Sequence, residues 1–134
     1  DMLKKAMLAA QKIKTKVVGV SILTSLRELD TLALFNNNLN DQIMHLFKLA
    51  KKINIDGVVC SPLELQLANK ILDSSFIKIT PGIRDIQGQD DQVRTMSAKD
   101  AIEKGATFLV IGRPITQAAD ISIALQSLSN AINE

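Results

Sequence analysis

The sequence has no tryptophan, no tyrosine, four phenylalanines, one cysteine and one histidine. So few aromatics leave almost nothing on which single-stranded bases can stack. The lone Cys60 cannot close an internal disulfide, and one Cys with one His cannot build a structural zinc site. A reducing compartment is compatible with that usage and not required by it. There is no block of one charge either: 16 Lys and Arg are dispersed among 14 Asp and Glu, giving a net charge of +2. Dispersed charge and scarce aromatics together argue against a nucleic-acid partner. No apolar run approaches the ~18 residues of a membrane helix, and no signal-peptide pattern opens the chain. The expectation is therefore no membrane partner and a cytoplasmic location. Residue 1 is Asp rather than Met, so a natural start further upstream is expected, with any targeting signal lying there.

What is present is enough apolar material for a core, 46% of 134 residues against 22% charged, in a chain long enough for one domain and hardly two. Short β-branched runs alternate with longer amphipathic stretches, the signature of β-α units and a parallel sheet. Four strands are predicted: Val17 to Leu23, Gly57 to Ser61, Phe76 to Thr80 and Phe108 to Gly112. Helices are predicted at Leu3 to Lys12, Ser25 to Leu34, Leu39 to Lys52, Pro62 to Leu72, Ala98 to Lys104 and Ile121 to Ile132. Spacings of three and four place Leu39, Ile43, Leu46, Phe47 and Ala50 on one helical face, which should lie on the sheet. Ser61-Pro62-Leu63-Glu64 reads as an N-cap, a first-turn proline and a glutamate that reaches back to the cap amide. Ser97 with Asp100 repeats the cap, and Gly105 stands where a left-handed helix stop is wanted.

The strands are apolar without alternation, as in Phe108-Leu109-Val110-Ile111, so burial on both faces is expected. An eight-fold β/α barrel of ~250 residues uses about 31 per unit, and four units take roughly 125. The chain has the length of half a barrel. A doubly wound open sheet of four or five strands fits the count equally well.

Both folds place their sites at the carboxyl ends of strands. There the sequence offers Thr24-Ser25 after the first strand, hydroxyls that serve either a ligand or a helix cap. After the third come Thr80-Pro81-Gly82-Ile83-Arg84 and a polar loop, Asp85 to Arg94, long enough to be functional. Arg84 can present a planar fork to a phosphate or carboxylate, and Gln92 an uncharged amide donor. A solvated loop in which Arg84 pairs with its own Asp residues is the alternative. After the fourth strand, Gly112 leaves a backbone N–H open to a ligand oxygen and Arg113 adds charge beside it. Pro114 suits the start of a short helix, whose amino end favours an anion. Barrel phosphate sites recur after the last two strands, which favours a phosphorylated ligand. Cys60, inside an apolar strand, reads as a small buried hydrophobe, and His45 as a surface or packing residue.

Five segments together resemble the C-terminal half of the orotidine 5'-phosphate decarboxylase family. They are Ile22-Leu23-Thr24-Ser25, Asp56-Gly57-Val58-Val59-Cys60-Ser61, Thr80-Pro81-Gly82-Ile83-Arg84, Asp91-Gln92-Val93-Arg94 and Val110-Ile111-Gly112-Arg113-Pro114-Ile115-Thr116. The departures are small: Ser97-Ala98 replaces a common Thr-Pro, and the loop before Asp91 is slightly short. The resemblance implies the second half of a TIM-type (β/α)8 barrel, with residues 1–134 forming one partial domain of four β/α units. It implies removal of the carboxylate of orotidine monophosphate to give UMP and carbon dioxide in pyrimidine biosynthesis, with no metal and no cofactor. Carried across residue by residue, it makes Thr24 a neighbour of the pyrimidine or ribose. Arg84, Gln92, Gly112 and Arg113 become the phosphate-binding group.

The family's chemistry rests on an Asp-x-Lys-x-x-Asp motif, and no Asp of this sequence has a Lys two residues on. The chain is thus expected to carry no catalytic residue of its own. A half barrel also leaves two open edges and a bare inner face. Three arrangements answer this: a piece of a full-length enzyme, a chain complementing a separate N-terminal half, or two associated copies as in a homodimer. Two other functions remain open. One is an inert phosphate-binding or interaction module; the other is a sugar-phosphate barrel enzyme, of a kind that often uses a metal.

Overall fold

The computed structural model describes residues 1–84 and 95–133. In chain order the elements are α1 (Met2–Lys12), β1 (Val18–Val20), α2 (Glu28–Phe35), α3 (Leu39–Ile53) and β2 (Gly57–Val59). A 3-10 turn (Pro62–Glu64) follows, then α4 (Leu65–Ile71), β3 (Ile77–Thr80), α5 (Ala98–Glu103), β4 (Phe108–Leu109), α6 (Arg113–Thr116) and α7 (Ile121–Asn133).

Local chemistry explains several boundaries. Asn38 Oδ1 accepts from Asp41 N at 2.8 Å and starts α3, while Asn54 closes it in the left-handed region at φ 58°. Ser97 Oγ accepts from Asp100 N at 3.1 Å, and Gly105 takes φ 93° beyond α5, both as the sequence predicts. The Ser61 cap also forms, although it opens a 3-10 turn before α4 rather than the α-helix itself.

The strands lie in the order β1-β2-β3-β4, all parallel. A doubly wound sheet reverses its strand order and carries helices on both faces. Here the order is sequential, and the apolar cluster that packs the helices lies against one face only. Val58 of β2 and Leu109 of β4 meet that cluster, along with Phe47 of α3, Leu65 of α4, Ala101 of α5 and Leu128 of α7. Phe47, Ile43, Leu65 and Ile83 are essentially inaccessible. Such side chains each contribute ~1.5–3 kcal/mol of burial energy.

Burial on both faces, expected from the unalternating strands, is met on the helix side alone. Val18, Val20, Phe108 and Val110 are exposed, at 36%, 58%, 57% and 49%. The register pairs Gly19 with Val58 on the helix side, so Val18 and Val20 point the other way, into what would be a barrel interior. The strands are also shorter than their apolar runs, because each ladder extends only as far as its neighbour. Beyond Val20 the pairing continues as a single bond, Ser21 N to Val59 O at 3.0 Å.

Candidate functional site

The register of β3 with β4, Ile79 to Phe108 and Thr80 to Leu109, brings the exits of both strands to one corner of the sheet. From β3 the chain runs through Pro81 and Gly82, which takes φ 81°. A parallel bridge then joins Ile83 to Met96. Arg84 N donates to Met96 O at 2.9 Å and Met96 N donates to Gly82 O at 3.2 Å. These bonds fix the backbone of Arg84, and its Nη1 donates to Ile83 O at 2.7 Å. Arg84 is half-buried. Gln92 and the polar loop 85–94 fall outside the described residues.

From β4, Val110 N donates to Thr80 O at 2.9 Å and carries the chain to Gly112, the exposed N-cap of α6. A Cβ built on Gly112 would meet nothing within 4 Å, so the space over its backbone is open. Arg113 is the first residue of α6 and half-buried, with Pro114 next, as the sequence suggests for a short helix there. Arg84, Gly112 and Arg113 thus follow two adjacent strands. Thr24, half-buried in the turn after β1, lies at the other end of the sheet, three strand spacings or about 14 Å away along it.

Behind these exits runs a buried polar cluster, of which the sequence shows only the helix cap at Ser61 and Glu64. Glu64 Oε2 accepts from Ser21 Oγ at 2.8 Å and from Ser61 N at 3.3 Å, tying the exit of β1 to the exit of β2. Cys60 lies in the same layer. Burial, reinforced by the Glu64 carboxylate and partly opposed by Lys78 and Thr80, pushes its thiol up to about 12. It stays protonated at neutral pH and is not a nucleophile, as the sequence predicts. Lys78 is 5% exposed in the middle of β3. Ser21 and Lys78 were visible as polar interruptions of apolar runs, the signal that marks this layer.

His45 is exposed on α3, away from every strand exit. Asp56 sits at the opposite, amino end of β2, where its Oδ2 accepts from Val17 N at 2.7 Å and pins the start of β1. Among the described residues no three His, Cys, Asp or Glu side chains group as metal ligands, and no helix is long and apolar enough to cross a membrane.

Sequential parallel strands, a single helical layer and a loop cluster at the carboxyl ends define the chain as half of a β/α barrel. It belongs to the Orotidine 5'-phosphate decarboxylase / HUMPS family, whose model matches residues 1–128. The orotidine 5'-phosphate decarboxylase of Wolbachia pipientis from Culex pipiens is 44% identical over 134 residues, 96% of this chain and 59% of that protein. The Glaesserella parasuis enzyme of the same name is 44% identical over 119 residues, 87% of this chain and 51% of its own length. The chain therefore spans about half the length of the curated relatives it matches. The crystal structure of the Lactobacillus acidophilus decarboxylase superimposes with a TM-score of 0.72 at 33% identity, covering 90% of this chain and 50% of that one. The Sulfolobus solfataricus decarboxylase gives the same TM-score at 18% identity, a likeness of fold, over 98% of this chain and 55% of its own.

Proposed function

We propose that residues 1–134 are one partial domain, the phosphate-binding half of an orotidine 5'-phosphate decarboxylase. The observation that carries this is the shared corner of the sheet. Register places Arg84 after β3 and Gly112 and Arg113 after β4, in a family whose relatives are named for a phosphorylated nucleotide. Two guanidinium groups offer planar forks to a phosphate, a geometry that lysine does not provide. The open backbone of Gly112 admits a phosphate oxygen, Gln92 adds an amide donor, and Thr24 meets the pyrimidine or ribose at the far end.

The reaction breaks the bond between the pyrimidine ring and its carboxylate, releases carbon dioxide and returns a proton to the ring carbon. The Asp-x-Lys-x-x-Asp motif that crowds the carboxylate and supplies that proton is absent from this chain. By itself the chain holds the nucleotide and does not turn it over. Its contribution to the rate is remote binding energy, which pays for strain and orientation at the reacting centre. The partners are orotidine monophosphate or UMP, and either a complementing N-terminal half or a second copy. The site of action is the cytoplasm, and no cofactor enters the reaction.

Calorimetric titration with UMP and with uridine tests the assignment. UMP binds and uridine, lacking the phosphate, binds far more weakly; equal affinity for the two would remove the phosphate site.

A further inference from the structure

The two ends of the candidate nucleotide site are held by different means. At the phosphate corner the backbone does the holding. β3 has a strand on each side; Cys60 N donates to Ile79 O at 3.0 Å and Val110 N to Thr80 O at 2.9 Å, and the bridge from Ile83 to Met96 fixes Arg84. β1 has a single strand neighbour, β2. Past Val20 its pairing continues through Ser21 N to Val59 O, and Ser21 Oγ then donates to Glu64 Oε2 at 2.8 Å. Thr24 stands three residues further on. Ile22, buried between them, keeps the segment packed, while the Ser21 side chain sets where along β2 it leaves the sheet.

Glu64 is more than a local cap requires. It is 4% exposed, and burying a carboxylate is unfavourable unless hydrogen bonds and an opposite charge compensate it. Capping the turn at Ser61 does not demand such a group, since the exposed Asn38 caps α3 with a neutral side chain. What burial adds is reach to a second strand. The same Oε2 accepts from Ser21 Oγ and from Ser61 N, so the exits of β1 and β2 share one oxygen. Lys78, buried on β3, supplies a cation in the same layer, and the charges of both Glu64 and Lys78 act on the Cys60 thiol. A buried carboxylate bonded across two strands has few rotamers open to it, which suits it to fixing a position rather than to exchanging protons.

We infer that Glu64 is a positioning residue for the nucleoside end of the site: through Ser21 it holds the turn that presents Thr24, and it leaves the phosphate corner to the backbone. The inference rests on the reading of the site proposed above. Its test is titration of the chain with UMP by calorimetry and with inorganic phosphate by phosphorus NMR. Ser21→Ala breaks the tether to β1 and keeps the Ser61 cap, so the fold is retained. It is expected to weaken UMP binding about fivefold, the order of one neutral hydrogen bond, and to leave phosphate binding unchanged. Glu64→Ala is expected to do the same, whereas Glu64→Gln, whose amide oxygen can accept from both donors, retains most of the UMP affinity. A merely structural role would lower the folded fraction and weaken both ligands alike. Parallel loss of both ligands in Ser21→Ala, or an unchanged affinity for UMP, would overturn the inference. Arg113→Ala separates it from a failure of the phosphate reading. That variant is expected to weaken both ligands; unchanged phosphate binding there would remove the phosphate corner, whereas the UMP loss in Ser21→Ala decides on Glu64.

Discussion

Glu64 and Ser21 are 43 positions apart in sequence and joined by a 2.8 Å hydrogen bond, Ser21 Oγ donating to the buried Glu64 carboxylate. The same oxygen caps the turn at Ser61. One side chain thereby holds the exits of two neighbouring strands, upstream of the turn that carries Thr24. Glu64→Ala leaves two donors without their acceptor in a buried layer. Hydrogen bonds to charged groups are worth ~1.5–3 kcal/mol each. The expected loss is about 3 kcal/mol in urea unfolding of the assembled protein, and Glu64→Gln, which keeps one acceptor oxygen, loses less.

Gly57 makes a sharper demand on the backbone. A Cβ there would stand 2.4 Å from Ile77 O and 2.7 Å from Ile77 Cβ, on the neighbouring strand. Backbone cannot retreat as a flexible side chain does, so Gly57→Ala forces β2 from β3. Overpacking costs typically ~1–3 kcal/mol, and this site stands at or above the upper end. Thermal unfolding should show the drop, and an unchanged Tm would contradict the pairing.

Arg84 and Arg113 are predicted to act on one phosphate. Arg113→Ala should weaken UMP binding by roughly 1.5–3 kcal/mol, about tenfold or more, and leave the weak binding of uridine unchanged. Arg84→Ala should do the same. Because the two forks share one anion, the double variant is expected to lose less than the two single losses added. Simple additivity in calorimetry would separate them.

Cys60 gives a pH dependence of definite sign. Its thiol is raised in the fold from the usual 9.0 to about 12 by burial first and the Glu64 carboxylate second. Below pH 9 the thiol is protonated in both the folded and unfolded chain. As pH rises from 9 toward 12 the unfolded chain ionises first, so stability falls across that window. Cys60→Ala should flatten this alkaline loss in urea titrations at successive pH values. A slope unchanged by the substitution would show that Cys60 does not supply it.

His45→Ala should leave UMP binding and stability nearly unchanged, within the ~0.5 kcal/mol usual for surface positions. Denaturation and titration of the variant check both.

Much of this fold was legible in the sequence because its local rules agree. The Ser61 and Ser97 caps, the stop at Gly105 and the stripe Ile43, Phe47 and Ala50 each follow from spacing alone. Choosing between a half barrel and a doubly wound sheet was beyond spacing, because strand order is a long-range property. The exposure of Val20 and Phe108 is not legible in the sequence, since an apolar strand looks the same whether its second face is covered or bare. Of the candidate site, Arg84, Gly112 and Arg113 are legible from their place after strands, and Thr24 in addition through family resemblance. The Ser21 to Glu64 bond was not found, because its partners are too far apart in sequence for local patterns to pair them. Gln92 falls outside the described residues.

The most direct test of the central claim is the decarboxylation of orotidine monophosphate, followed by its loss of ultraviolet absorbance. It should be measured for this chain alone and for its complex with the part of the Wolbachia relative that this chain does not match. No turnover by the chain alone, and turnover in the complex that Arg113→Ala reduces, is the predicted result. Turnover by the chain alone, or none in a soluble one-to-one complex, would contradict the assignment of this chain as the phosphate-binding half of the enzyme.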